Sequence, residues 1–209
     1  MAGLVLRLMR DHVQPNARAA LPATNRALYL LDGALTVDGK DVPVNSAWHG
    51  ARACAVAAGP AGATVLRYEL GRDDTPVGAT PVLARPLRLD PTAAYLMRCD
   101  RVDFDLGAEA LPHRHKGGGI RYLLQGSLEL RVEGEADRVI KPGEAWFESG
   151  REPVYAKASA TEPTSFIRCS ILPREIRGQS SIVYVDPKDA GGKPRKYTVF
   201  VDEPIELPR

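Results

Sequence analysis

Along most of this chain, apolar and polar residues alternate in short runs, the period-two pattern of half-buried strands. "RALYLLDGALTVDG", "AYLMRCDRVDFDLG", "IRYLLQGSLELRVEG", "TSFIRCSIL" and "SSIVYVD" are rich in Val, Ile, Leu, Tyr and Phe, and Gly, Pro, Asp and Asn bound them. No long stretch carries the 3.6-residue period of an amphipathic helix. The pattern predicts an all-β fold with little helix. "DPKDAGGKPRK" (186–196) reads as a polar loop, and "TPVGATPVLARP" (75–86) as a connection between halves.

The strand pattern also repeats. "AALPATN" at 19–25 matches "EALPHRH" at 109–115, and "ALYLLDGALTV" at 27–37 matches "IRYLLQGSLEL" at 120–130. "SAWHG" at 46–50 matches "EAWFE" at 144–148, and "TVLRYEL" at 64–70 matches "SFIRCSI" at 165–171. The order is kept and the offset grows from 90 to 101, as insertions into turns of a second copy would make it. Duplication of an all-β unit predicts two barrels or sandwiches in tandem, over 1–85 and 86–209. The final strand, "RKYTVFVDEPIEL", is expected to join the other barrel or another subunit.

Composition narrows the function classes. At 209 residues, 44% hydrophobic and 26% charged, the chain can bury a real core. A net charge of +2 without a long basic run gives no electrostatic case for nucleic acid or a membrane surface. The apolar run in "MAGLVLRLMRDH" is too short for a signal peptide, and nothing approaches transmembrane length. Cys54, Cys99 and Cys169 are widely spaced and form no CxxC pair, so neither a disulfide framework nor a cysteine zinc site is indicated. The expected compartment is the cytoplasm.

The candidate chemistry lies in "LPHRHKGGGIRYLLQGSLEL", residues 111–130. Residues i and i+2 of a strand share a face, so His113 and His115 can both aim into a barrel and hold one divalent metal. Imidazole suits Fe, Mn, Ni, Cu and Zn alike. Gly117, Gly118 and Gly119 supply a turn that lets backbone pass close to the pocket. The first copy has Ala23 and Asn25 at the matching positions, and His12 and His49 form no His-x-His arrangement. That half is expected to be metal-free and to serve packing, pocket closure or assembly.

"GAEALPHRHKGGGIRYLLQG", from Gly107 to Gly126, resembles the first motif of the cupin superfamily, and "IKPGEAWFESGREPVYA" at 140–156 resembles the second. With the repeat, the chain resembles a bicupin. The resemblance implies tandem cupin barrels, that is double-stranded β-helix or jelly-roll barrels with an internal small-molecule pocket. It implies no single reaction, because cupins include dioxygenases, decarboxylases, isomerases, lyases and binding proteins. Two family ligands are missing: Gly119 stands where the usual glutamate would be, and Val154 where the third histidine would be. Glu148 is the replacement candidate, completing a facial triad with His113 and His115. Its alternatives are a strand-end carboxylate in solvent or a partner for an arginine. Arg121, on one strand face with Gly119 and Leu123, would pair with Glu148 or with a substrate carboxylate. Trp146 is expected in the pocket wall and Tyr155 at its rim. The expected function is a metal-dependent bicupin enzyme acting on a small anionic organic molecule, by dioxygenase-like or lyase- or decarboxylase-like chemistry. The alternative is a non-catalytic cupin that binds or senses a small ligand. A homodimer is the expected assembly.

Overall fold

In the computed structural model, which describes residues 3–74, 78–191 and 195–208, the chain forms two compact units. One comprises Met1–Tyr95 and Glu203–Arg209, the other Leu96–Asp202. The division falls after the expected boundary at 85, and the chain's end returns to the first unit. One cause is plain: Leu83–Leu87, expected as part of a connection, is a strand paired with Leu4–Leu8. Residues 75–77 of that stretch, and 192–194 of the expected polar loop, lie outside the described residues.

The first unit contains β1 (Leu4–Val13), β2 (Arg18–Leu21), β3 (Asn25–Val37), β4 (Lys40–Val42), β5 (Ala47–Gly50), β6 (Cys54–Arg72) and β7 (Leu83–Leu87). They make one antiparallel sheet in the order β4-β3-β6-β1-β7, with β2 also on β6 and β5 on β3. β3 and β6 are long and run together across bulges at Leu30/Asp32 and Gly33/Leu35. Gly33 sits at φ 86°, and a Cβ there would run into the Gly62 carbonyl. Only glycine lets the two strands bend together at that point. Leu28, Leu30, Leu35, Val37, Val56 and Val65 lie in one buried cluster.

The second unit breaks the same ribbons in two. Its strands are β8 (Tyr95–Phe104), β9 (Glu109–His115), β10 (Gly119–Gln125), β11 (Leu128–Val132), β12 (Arg138–Ile140), β13 (Ala145–Glu148), β14 (Val154–Ala158), β15 (Thr164–Pro173), β16 (Ile182–Tyr184) and β17 (Arg195–Ile205). They form two five-stranded sheets, β13-β10-β15-β8-β17 and β12-β11-β14-β9-β16. A cluster with Phe104, Leu123, Trp146 and Phe166 from the first sheet and Leu128, Leu130, Val154 and Ala156 from the second fills the space between them. Gly126, in the repeat's counterpart of Gly33, also has positive φ, at 74°. Among the described residues, helix is limited to two short 3-10 turns, Arg174–Ile176 and Pro187–Gly191.

The repeat read in the sequence has matching registers. Arg26 faces Gly50 and Glu69 in the first unit, and Gly119 faces Glu148 and Ser170 in the second. Leu28 faces Trp48 and Arg67, while Arg121 faces Trp146 and Arg168.

Candidate functional site

β9, β10, β13 and β15 bring the chemistry of the second unit together. Alternation on β9 leaves His113 and His115 buried and Arg114 exposed. On β10 it turns Arg121 inward, 1% exposed. β13 ends in Glu148, on the same face as Trp146. These five side chains line one cavity with Val102, Phe104, Val154, Phe166, Arg168 and Tyr197. The cavity is about 20 Å³, room for roughly one water molecule.

Glu148 is the hub. Its Oε2 lies 2.7 Å from Arg121 and 3.1 Å from His115 Nε2, and its Oε1 accepts the Trp146 indole N–H at 2.8 Å. Burial works against the carboxylate. The Arg121 charge and the His115 hydrogen bond outweigh it and hold Glu148 well below the usual carboxylate range. Burial, joined by the Arg121 charge, lowers His115 to about 3 despite its bond to Glu148. His115 is therefore neutral at physiological pH. His115 Nε2 lies 3.1 Å from Glu148 Oε2, and its Nδ1 lies 3.5 Å from the Ser181 hydroxyl. His113 Nδ1 donates to the Leu111 carbonyl at 2.8 Å, and the two imidazoles meet edge to face with centroids 4.9 Å apart.

Two residues that sequence reading missed, one in the lining and one behind it, add to this polar cluster. Arg168 on β15 lies beside Arg121 in the register and pairs with Asp100 of β8 at 2.5 and 3.0 Å. Both are buried, and the guanidinium lies 5.7 Å from the Tyr197 ring. The first unit holds the matching pair, Arg67 with Asp11 at 2.6 Å. The signal was "LMRDH" at 8–12 against "LMRCD" at 96–100, where one extra residue shifts the aspartate. A one-residue slip swaps strand faces, so this block does not align by eye.

Three expectations change. Tyr155 lies off the cavity: its neighbours Val154 and Ala156 line it, and Tyr155 sits under Arg131 at 5.1 Å. Alternation turns it to the other face. The close approach at Gly117 and Gly119 is to β15, since a Cβ would meet the Ile171 carbonyl and Ser170 respectively. Trp146 is in the wall as expected, but its polar atom is spent on Glu148.

The three residues expected as a metal triad, His113, His115 and Glu148, lie together with Arg121 and Arg168. The residues share a cavity, in which Glu148 Oε1 accepts from Trp146 while Oε2 lies within ion-pair distance of Arg121 and His115 without a well-formed hydrogen bond. Arg121 with Glu148 and Arg168 with Asp100 already balance in charge. A dication would add two uncompensated charges beside two guanidiniums. Among the described residues, no group of three or more His, Cys, Asp or Glu side chains is arranged to hold a metal ion. Nor is any described helix long and apolar enough to cross a membrane.

Residues 100–168, which contain this cavity's main elements, match the family described as Cupin domain. No curated protein matches the chain in sequence. Solved structures match its fold. The Lactobacillus farciminis oxalate decarboxylase formate complex superposes with TM-score 0.65 at 12% identity, covering 92% of this chain and 82% of that one. AerE from Microcystis aeruginosa gives 0.58 at 15%, covering 81% and 88%. A cupin 2 conserved barrel domain protein from Leptotrichia buccalis gives 0.51 at 13%, covering 79% and 88%. The domain match covers residues 100–168, and these neighbours show an all-β, jelly-roll fold.

Proposed function

We propose that the chain is a duplicated cupin whose second unit is a small-ligand-binding site assembled without a resident metal. The observation that carries this is the pairing of Glu148 Oε2 with Arg121 at 2.7 Å beside His115, while Trp146 donates to the other carboxylate oxygen. The matching strand registers support duplication. Neutral His115, with its pKa at about 3, is too weak a base for proton abstraction near neutral pH. It acts as a fixed hydrogen-bonding group, oriented by Glu148. Arg121 is likewise held, its charge answered by Glu148 rather than by a substrate carboxylate. The wider opening on this unit is a cavity of about 570 Å³ that shares Ile182 and Tyr197 with the inner one. A ligand body would sit there, and Tyr197 would separate it from the polar cluster.

A second reading, a metal-dependent cupin enzyme, is favoured by the convergence of the His113 and His115 rings. The test is a titration of metal-stripped full chain with Mn²⁺, Fe²⁺, Ni²⁺, Cu²⁺ and Zn²⁺, read through the imidazole NMR signals. The expected result is no saturable, stoichiometric change at His113 or His115. Saturation at one ion per chain, broadening both rings together, would replace the first reading with the second.

A further inference from the structure

The half that lost the histidines has the roomier lumen. Its cavity, lined by Leu21, Leu28, Leu35, Val56, Val65 and Arg67 with Asp11 at one side, is about 300 Å³, against about 20 Å³ for its counterpart. The difference follows from substitutions at matched positions. Leu28 stands where the second unit has Arg121, and Val65, paired with Leu30, stands where Phe166 pairs with Leu123. Gly50 stands where Glu148 does, and the Trp48 ring has folded over it. Each exchange removes a large or polar group, and the wall that remains is mostly apolar, with Asp11, His12, Gln14 and Arg67 as its polar members.

Of the charged groups here, Asp11 and Arg67 line the cavity, and Arg67 leads to a paired network behind it. Arg67 binds Asp11 at 2.6 Å and Glu69 at 3.0 Å, and Glu69 also binds Arg26 at 2.7 Å. Two guanidiniums face two carboxylates. A charged ligand would have to break one of these buried pairs or enter uncompensated, and both are costly. An uncharged one enters without that cost and gains by covering the apolar wall.

We infer that the first unit binds an uncharged, mostly aliphatic or aromatic small molecule. At about 300 Å³, the cavity has room for a small organic molecule. One hydrogen-bonding group on the ligand would face Asp11, whose side chain is 24% exposed and is the most accessible polar group in the network. This site is separate from that of the second unit, and neither reading depends on the other.

The experiment is an amide-detected NMR titration of the full chain with p-cresol, indole and cyclohexylmethanol, with benzoate as the charged control. At least one neutral compound should saturate at one per chain, with shifts centred on β1, β3 and β6, while benzoate gives none. Val65→Phe, which installs the second unit's residue, should abolish that binding with the thermal midpoint unchanged or raised, because it fills existing space. If none of the neutral compounds binds, if benzoate binds as tightly, or if Val65→Phe lowers the midpoint, the inference fails. Should Val65→Phe not fold, Val65→Leu decides: it should weaken binding in a folded protein, and unaltered binding overturns the assignment.

Discussion

Glu148 balances the charge of the inner cavity, and its replacement shows what it is for. Glu148→Gln keeps the shape and removes the charge that answers Arg121. Both groups are buried, at 7% and 1% exposure, so the stranded guanidinium should cost about 3–5 kcal/mol of stability, read from denaturant unfolding. A loss near zero would mean that the pair is open to water. His115 makes a pH prediction. Its folded pKa, about 3, lies below the unfolded value of 6.5. As pH falls below about 6.5 the unfolded chain takes up a proton that the fold refuses, so stability drops from there towards pH 3. Glu148 acts in the same direction: its contribution is full above the unfolded value of 4.5 and is lost as pH falls towards its depressed folded pKa. The midpoint of wild type should therefore fall between pH 6.5 and 4 more steeply than that of His115→Gln. Equal slopes would contradict a neutral, buried His115. At this scale the sequence was informative. Alternation put His113 and His115 on one strand face and Arg121 on a face with Gly119 and Leu123, without choosing which face of that strand was the interior, and Arg121 was one of Glu148's possible partners. It could not choose between arginine and metal, because that choice depends on distances of a few ångströms across β10 and β13.

At the scale of elements, the register of β10 against β15 matters most. It sets Gly119 against Ser170, where a Cβ would also lie 2.7 Å from the Cys169 carbonyl oxygen. Gly119→Ala should force the strands apart and cost about 1–3 kcal/mol, visible as a lowered midpoint. No change in midpoint would mean that the two strands give way freely there. The family glutamate expected at this position has no room in this packing. Strand existence was readable from periodicity, but pairing was not. β7 was hidden in a Pro- and Gly-punctuated stretch, because Leu83–Leu87 carries only a weak alternating signal and gains its order from β1. Arg168 was missed for the same reason: only the β10–β15 pairing sets it beside Arg121.

At the scale of the molecule, the two units keep one plan and differ in content. An arginine–aspartate pair occupies the interior of each, Arg67 with Asp11 and Arg168 with Asp100. Their environments differ, and so should their contributions. Asp100 is 2% exposed in its side chain, whereas Asp11 is 24% exposed and its arginine keeps Glu69 as a second partner. Asp100→Asn should therefore destabilise the chain clearly more than Asp11→Asn, by chemical denaturation of both variants. The reverse order would show that the second unit's pair is not the sealed one. Three of the four blocks read as a repeat, at offsets 93, 98 and 101, recur in the strand registers, while the block at offset 90 does not. The unit boundary was not legible, since the return of Glu203–Arg209 to the first unit rests on contacts such as Asn25 Nδ2 donating to the Glu206 carbonyl at 2.7 Å.

The central claim is that the His113–His115–Glu148 cluster is closed on Arg121 rather than on a metal. The most direct measurement is elemental analysis of tag-free protein, with the thermal midpoint taken on the same sample, for wild type, His113→Ala and Glu148→Gln. The account predicts metal well below one equivalent in all three, with a lowered midpoint in Glu148→Gln. One equivalent of a transition metal in wild type, lost in His113→Ala and Glu148→Gln, would contradict it.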